Sequence, residues 1–210
     1  EWTTGSVIGE GGYSVVLFCS LGGRSYAVKK LRGVQRHSMA AREAALQTKV
    51  HHHPHIVRLH ATVQDDDVFS LIMQFGGGRT LFDVVEERRW SDGQMVRALA
   101  QLASALCHMH DLRVAHMDVK AENVLVDDDP SCVHVRLSDF GLASDASSET
   151  ITEWRGTLTY CAPEMLARDV SDPLACDVWS FSVLVLVVFH EQFPFRAASP
   201  TRDPFFATFV

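Results

Sequence analysis

The sequence has no apolar run of bilayer-spanning length. The longest, Val183 to Phe189, holds seven residues, against roughly 20 for a transmembrane helix. The first residues carry no basic-then-apolar leader pattern. No membrane segment is therefore expected. A paired-cysteine framework is missing too. Cys19, Cys107, Cys132, Cys161 and Cys176 are odd in number and form no CxxC spacing. That excludes a disulfide-stapled scaffold and favours a reducing compartment, cytoplasmic or nuclear. Basic charge is scarce: 19 Lys and Arg face 26 Asp and Glu, a net charge of -7. A broad face for nucleic-acid backbones is excluded, although a small phosphate site is not. Internal repeats and low-complexity tracts are absent. What remains is 210 residues, 47% apolar and 21% charged, the usage of an ordinary globular chain of about one domain or slightly more.

The first third alternates β-rich segments with glycine turns. Tyr13 to Cys19 and Ser25 to Leu31 read as strands around the turn Leu21-Gly22-Gly23, and Val68 to Phe75 as a later strand. Between them, Ser38 to Val50 reads as a helix, stopped by His51-His52-His53-Pro54. The three consecutive histidines point in different directions, which suits a solvated loop better than a metal site. Ser91 with Gln94 is a capping-box pattern. Met95, Ala98, Leu99, Leu102, Leu106 and Met109 follow it as one apolar stripe. Asn123 to Val126 and Val133 to Leu137 read as a hairpin over the acidic turn Asp127-Asp128-Asp129-Pro130. Ser144 to Thr152 is polar and aperiodic, hence an exposed loop. Asp177 to His190 is apolar almost all round, hence a helix buried on every side. Gly76-Gly77-Gly78 marks the change from strand-rich to helix-rich sequence and would permit a hinge.

Chemistry concentrates in a few places. Gly9-Glu10-Gly11-Gly12-Tyr13-Ser14 approaches GxGxxG. Taken alone it is either a plain turn or a loop laying backbone N–H groups over phosphates. A strand follows it rather than a helix, so the dinucleotide reading fails, and no Walker-type GxxxxGK[ST] occurs. Lys29 lies in the next strand and Glu43 on the helix 14 residues later. Each by itself reads as a surface residue; together they could form a positioned ion pair. His116 to Asn123 is a dense polar cluster flanked by apolar sequence, which suits a catalytic loop on a rigid scaffold. Asp139-Phe140-Gly141 and Ala162-Pro163-Glu164 come later.

Order and spacing matter more than any one motif. Asn123 follows Asp118 by five residues, Asp139 follows Asn123 by 16, and Glu164 follows Asp139 by 25. This series resembles the eukaryotic protein kinase family from about Thr4 to Phe206. The resemblance implies an α+β, two-lobed fold. An antiparallel-sheet N-lobe with one main helix would span 1–75, and a mostly helical C-lobe 76–210. ATP would bind between them. Ile8, Gly9 and Gly11 would cover the nucleotide, with Val16, Ala27 and Leu125 around the adenine. Met73 would be the gatekeeper, and Gln74-Phe75-Gly76 the hinge. Lys29, paired to Glu43, would hold phosphates. Asp139 and Asn123 would bind Mg2+. Asp118 would take the acceptor proton, with Lys120 and Thr157 beside it. Lys120 and Thr157 imply a Ser/Thr kinase acting on protein hydroxyls. His116 is expected to pack structurally against Phe140.

Departures from the pattern carry their own expectations. Met117 stands where the family places an arginine that captures a loop phosphate, so phosphorylation of Ser144 to Thr152 is not expected to be the main switch. Gln47 replaces an apolar residue one turn after Glu43, which would weaken the helix's active position. Such features leave open a weak or inactive, kinase-like scaffold that still binds nucleotide. The sequence stops at Val210, so the last C-lobe helices and the arginine partner of Glu164 are expected to be missing. That would leave an unpaired buried carboxylate and an exposed apolar patch around Trp179, Phe181 and Phe193, favouring marginal stability or self-association.

Overall fold

The computed structural model describes residues 2–12, 14–127 and 132–208. Tyr13 of the glycine turn, Asp128, Asp129 and Pro130 of the acidic turn, and Val210 lie outside the described residues. The N-terminal part is one antiparallel sheet. Strand β1 (Trp2–Glu10) turns at the glycines into β2 (Ser14–Leu21), and β3 (Arg24–Arg32) follows. Gly22 and Gly23 join β2 to β3 with φ of 57° and 77°, the positive pair that a two-residue hairpin requires. Helix α1 (His37–Val50) then leads to β4 (Leu59–Gln64) and β5 (Val68–Gln74). The strand order is β1-β2-β3-β5-β4. Patterning does not reveal β4, because this edge strand is exposed everywhere except Leu59 and so lacks alternation.

Beyond Gly76–Gly78 come β6 (Arg79–Thr80), α2 (Leu81–Glu86) and α3 (Asp92–Asp111). Helix α2 was not expected, yet its signal is local: Thr80 and Asp83 form a capping box. The Ser91–Gln94 box caps α3, and the whole stripe from Met95 to Met109 is buried. Each large apolar side chain there contributes about 1.5–3 kcal/mol by leaving water. Strand β7 (Val114–Ala115) follows, then the hairpin β8 (Val124–Val126) and β9 (Val135–Leu137). Strand β6 joins β8, and β10 (Ser144–Asp145) joins β7. Helices α4 (Pro163–Ala167) and α5 (Pro173–His190) complete the described α-helices.

Several expectations change. Ser144 is not in an exposed loop: it is buried, pairs opposite Ala115 in β10, and Ile151 is buried as well. Helix α5 starts before Asp177, because Asp172 caps Leu174 N–H and Pro173 fits the first turn. Nor is it buried all round: Val183, Leu184, Val187 and Val188 face the core, while Val178, Leu186 and Phe189 are exposed. Its 18 residues are long and apolar enough, by length and composition alone, to cross a membrane. Here one side, including Asp177, packs inside the fold. The anticipated apolar patch is differently composed. Trp179 packs near Phe195 and Phe206, with ring centroids 6.1 and 6.3 Å away, and Phe181 packs against the core. Phe193 is exposed, with Phe189 and Phe205. Glu164 is only half-buried, and its Oε1 accepts a 3.5 Å hydrogen bond from Cys176 Sγ.

Asp177 ties α5 to the segment ahead of Asp118. Its carboxylate is fully buried and accepts His116 N–H at 2.7 Å, Met117 N–H at 2.8 Å and a 3.1 Å contact from His110 Nε2. Met117 adopts φ of 67°, a strained value for this side chain that the two bonds hold in place. Asp177→Ala should cost about 3 kcal/mol or more, since hydrogen bonds to charged acceptors are worth roughly 1.5–3 each. Chemical denaturation reads this, and a loss below about 1 kcal/mol contradicts it. All five cysteines are free, with Cys107 and Cys132 exposed and the other three buried. Burial pushes the Cys161 thiol up to about 11 and raises Cys176 as well. Alkylation of the native protein near pH 7.5 should label Cys107 and Cys132 and spare the rest until denaturant is added; rapid native labelling of Cys161 or Cys176 contradicts this burial.

Candidate active site

The sheet register builds the first half of the site. Gly9 pairs with Val16, Val16 with Lys29, and Ala27 with Met73. Side chains two apart share a face, so Ala27 and Lys29 look the same way. Helix α1 packs on that face through Ala40 and Ala44, against Leu31, Phe69, Leu71 and Met73. This packing brings Glu43 to Lys29: Nζ lies 2.7 Å from Glu43 Oε1 and 2.8 Å from Asp139 Oδ1. Burial works against the Lys29 ammonium, but Asp139 and Glu43 outweigh it and hold its pKa above the ordinary value. One lysine serves two carboxylates unequally. Burial raises the carboxyl of Glu43, whereas at Asp139, whose side chain is half-exposed, Lys29 outweighs the opposing desolvation and holds the carboxyl below its ordinary value.

Gln47 does not displace the helix. It is buried, and its Nε2 donates to Val57 O at 2.9 Å and touches Met73 Sδ at 3.7 Å. Its Oε1 has no partner.

The second half lies between β7 and β8. Thr157 Oγ1 donates to Asp118 Oδ1 at 2.8 Å and accepts from Lys120 Nζ at 2.8 Å. Lys120 Nζ is also 2.9 Å from Asp118 Oδ2. Asn123 Nδ2 donates to Asp118 O at 2.8 Å and to Asp118 Oδ2 at 3.1 Å. Gly156 makes this closure possible: φ is 87°, and a Cβ would sit 2.6 Å from Met117 O. His116 is buried edge-on to Phe140 at 5.1 Å, its Nε2 2.9 Å from Ser138 O. That fixes the backbone of both acidic loops.

A cavity of about 690 Å³ joins the halves, within the size range of small-molecule sites. Its lining includes Ile8, Gly9, Gly11 and Val16 from the glycine strands, and Ala27, Lys29 and Glu43. Met73, Gln74 and Phe75 line one edge, and Leu125, Asn123 and Asp139 the opposite wall. Asp118, Lys120 and Thr157 are not among the lining residues; they connect to the cavity through Asn123. Gly77 holds the connection close to β8, since φ is 105° and a Cβ would lie 2.0 Å from Val126 O. Val57, Thr80, Glu122 and Ser138 also line the cavity and were not singled out from sequence. Val57 and Ser138 sit in connections without periodicity, Thr80 is in β6 and caps α2, and Glu122 lies in the polar run before Asn123. Asn123 and Asp139 supply oxygen donors suited to a hard divalent cation. With its amide nitrogen committed to Asp118, Asn123 has its amide oxygen to offer.

Comparison with known proteins agrees with this geometry. A serine/threonine-protein kinase of Drosophila persimilis is 31% identical over 220 aligned residues, covering 100% of this chain and 28% of its own. A serine/threonine-protein kinase of Arabidopsis thaliana is 30% identical over 203, covering 95% of this chain and 42% of its own. One from Drosophila melanogaster is 29% identical over 219, at 100% and 29% coverage. The chain thus spans less than half the length of each of these relatives. The family profile described as protein kinase domain matches residues 2–205, and with nearly its whole length inside that match the chain belongs to the protein kinase domain family.

Proposed function

We propose that this chain transfers the terminal phosphoryl group of ATP to Ser and Thr hydroxyls of protein substrates. The observation that carries it is the convergence of Lys29, Glu43 and Asp139 on the cavity that Asn123 connects to Asp118. The serine/threonine kinase names of the relatives favour the same reading. The apolar side chains of Ile8, Val16, Ala27 and Leu125 would sandwich a flat base, and the backbone of Gln74 to Gly76 would read its edge. Lys29, held between two carboxylates, would meet the phosphates as a fixed positive charge. Bound Mg2+, held by Asp139 and Asn123, would supply charge neutralisation at the phosphate oxygens.

Positioning is most of the work in phosphoryl transfer. The acceptor oxygen forms its bond to phosphorus as the bond to the ADP oxygen breaks, and Asp118 takes the acceptor proton. Lys120, shared between Asp118 and Thr157, would balance charge there. The division into lobes at 1–75 and 76–210 is part of this proposal, supported by the glycine connection after β5. A reducing compartment, cytoplasmic or nuclear, is supported by the five free cysteines.

A second reading, a nucleotide-binding scaffold with little transfer, draws on one observation: the buried Gln47 Oε1 on α1 has no hydrogen-bond partner, a cost of about 1–3 kcal/mol. Labelled phosphate transfer from ATP to a generic basic protein separates the two. Asp118→Asn should lower the rate by about 10²–10⁴, and Asp139→Asn should abolish magnesium-dependent nucleotide binding. Binding without transfer favours the scaffold, and transfer indifferent to Asp118→Asn sinks the proposal.

A further inference from the structure

The residues from Ala143 to Arg155 form a bonded unit around one carboxylate. Glu149 Oε2 receives Arg42 Nη2 from α1 and Ser144 Oγ at 2.8 Å, while Oε1 receives Arg155 Nη2 at 2.6 Å. Arg42 Nη2 also donates to Ala143 O at 2.6 Å. Further along α1, Lys49 Nζ meets Asp145 Oδ2 at 2.9 Å, and Glu149 N–H donates back to Asp145 O at 2.9 Å. Burial alone would raise the Glu149 carboxyl. The hydrogen bonds from Arg155, Ser144 and Arg42 outweigh it and hold the group below its ordinary value.

The partners of this carboxylate matter because of their neighbours. Arg42 directly precedes Glu43, the residue on Lys29. Arg155 lies two residues before Thr157, the residue on Asp118. A single anion therefore links the two halves of the site through side chains that are not among those lining the cavity of about 690 Å³. Two arginines facing one carboxylate make a geometry suited to a doubly charged group, yet a built-in glutamate fills it. On the other side of the segment, Met117 shares a buried apolar cluster with Ile151. The chain ahead of Asp118 thus holds the segment by apolar packing at this point rather than by a cation.

We propose that Glu149 is a positioning residue for the phosphoryl transfer proposed above: a permanent anion that clamps the segment onto α1 and sets Glu43 and Thr157, making a phosphate on this segment unnecessary. The proposal rests on that functional reading for its catalytic consequence, but the clamp itself is a structural statement. It predicts two things that a generic surface ion pair, worth little when exposed, does not. Removing only the charge should loosen the segment, and removing any phosphate should leave activity intact.

The test compares wild type, Glu149→Gln, Glu149→Asp and Arg42→Gln for transfer kinetics and for amide hydrogen exchange of residues 143–151. Glu149→Gln keeps the shape and loses the charge-assisted bonds. It should lower kcat by about tenfold or more, the size expected for losing such bonds. The segment's amides should exchange about tenfold faster or more, while exchange in α3 stays unchanged and reports an intact fold. Arg42→Gln should move both readouts in the same direction, and Glu149→Asp should fall between Glu149→Gln and wild type. Phosphatase-treated wild type should keep its rate within about twofold. The proposal is overturned if Glu149→Gln matches wild type in both readouts, or if phosphatase treatment removes more than about 90% of the activity. If no form transfers phosphate, the functional reading fails by itself, and the exchange comparison still decides the clamp. If Glu149→Gln does not fold, Arg42→Gln gives the same decision.

Discussion

One shared ammonium group organises this molecule. Lys29 belongs to a central strand of the sheet, Glu43 to the helix packed on it, and Asp139 to the segment after the second hairpin. Their two contacts, at 2.7 and 2.8 Å, join elements separated by 14 and 110 positions in sequence. A buried lysine with a single carboxylate would gain little over its desolvation. With two, it keeps its proton, and the carboxylates are drawn into the cavity. The glycine strands, the connection after β5 and Leu125 can line one space because these three elements are fixed relative to each other.

A second constraint works from below. The carboxylate of Asp177 occupies two backbone donors and a histidine, holding the turn at Met117 in a conformation that its side chain resists. Asp118 is the next residue, so its direction is inherited from α5. Thr157 and Lys120 then meet Asp118 from two sides, and Gly156 allows the approach because any Cβ would collide with Met117 O. The acid-bearing loop is positioned by buried polar bonds and the Lys29 side of the cavity by sheet packing. The two sets touch at Asn123 and through Glu149. Met117 and Asp139 both adopt positive φ, and both sit where these sets meet.

Much of this was legible in the sequence, for identifiable reasons. Helix α3 announced itself through its cap and apolar stripe, and the Gly22–Gly23 hairpin through residues that only one turn type favours. Lys29, Glu43, Asp118, Asn123 and Asp139 were legible only as a spaced series; none has an individual signature. Edge strand β4 was hidden by its exposure. Helix α5 misled because its composition is apolar on both sides while its packing is not. The segment from Ser144 to Thr152 misled only in part: Ser147, Ser148, Thr150 and Thr152 are exposed, whereas Ser144 and Ile151 are buried. Its polar residues suggested solvent, but Ser144 and Glu149 are polar because they bond to one another and to Arg42 and Arg155. A partly buried network of that kind has no periodicity for a sequence reading to detect. Gln47 was expected to loosen α1, yet Val57 O offers its amide a partner from a connection with no recognisable pattern.

The central claim is that these distant side chains meet on one triphosphate and its divalent ion. A crystal structure of the chain with magnesium and a non-hydrolysable ATP analogue tests it most directly. The account predicts the base between Ala27 and Leu125, phosphate oxygens against Lys29, and the ion on Asp139 and Asn123. Nucleotide bound elsewhere, or an ion that avoids both Asp139 and Asn123, contradicts it.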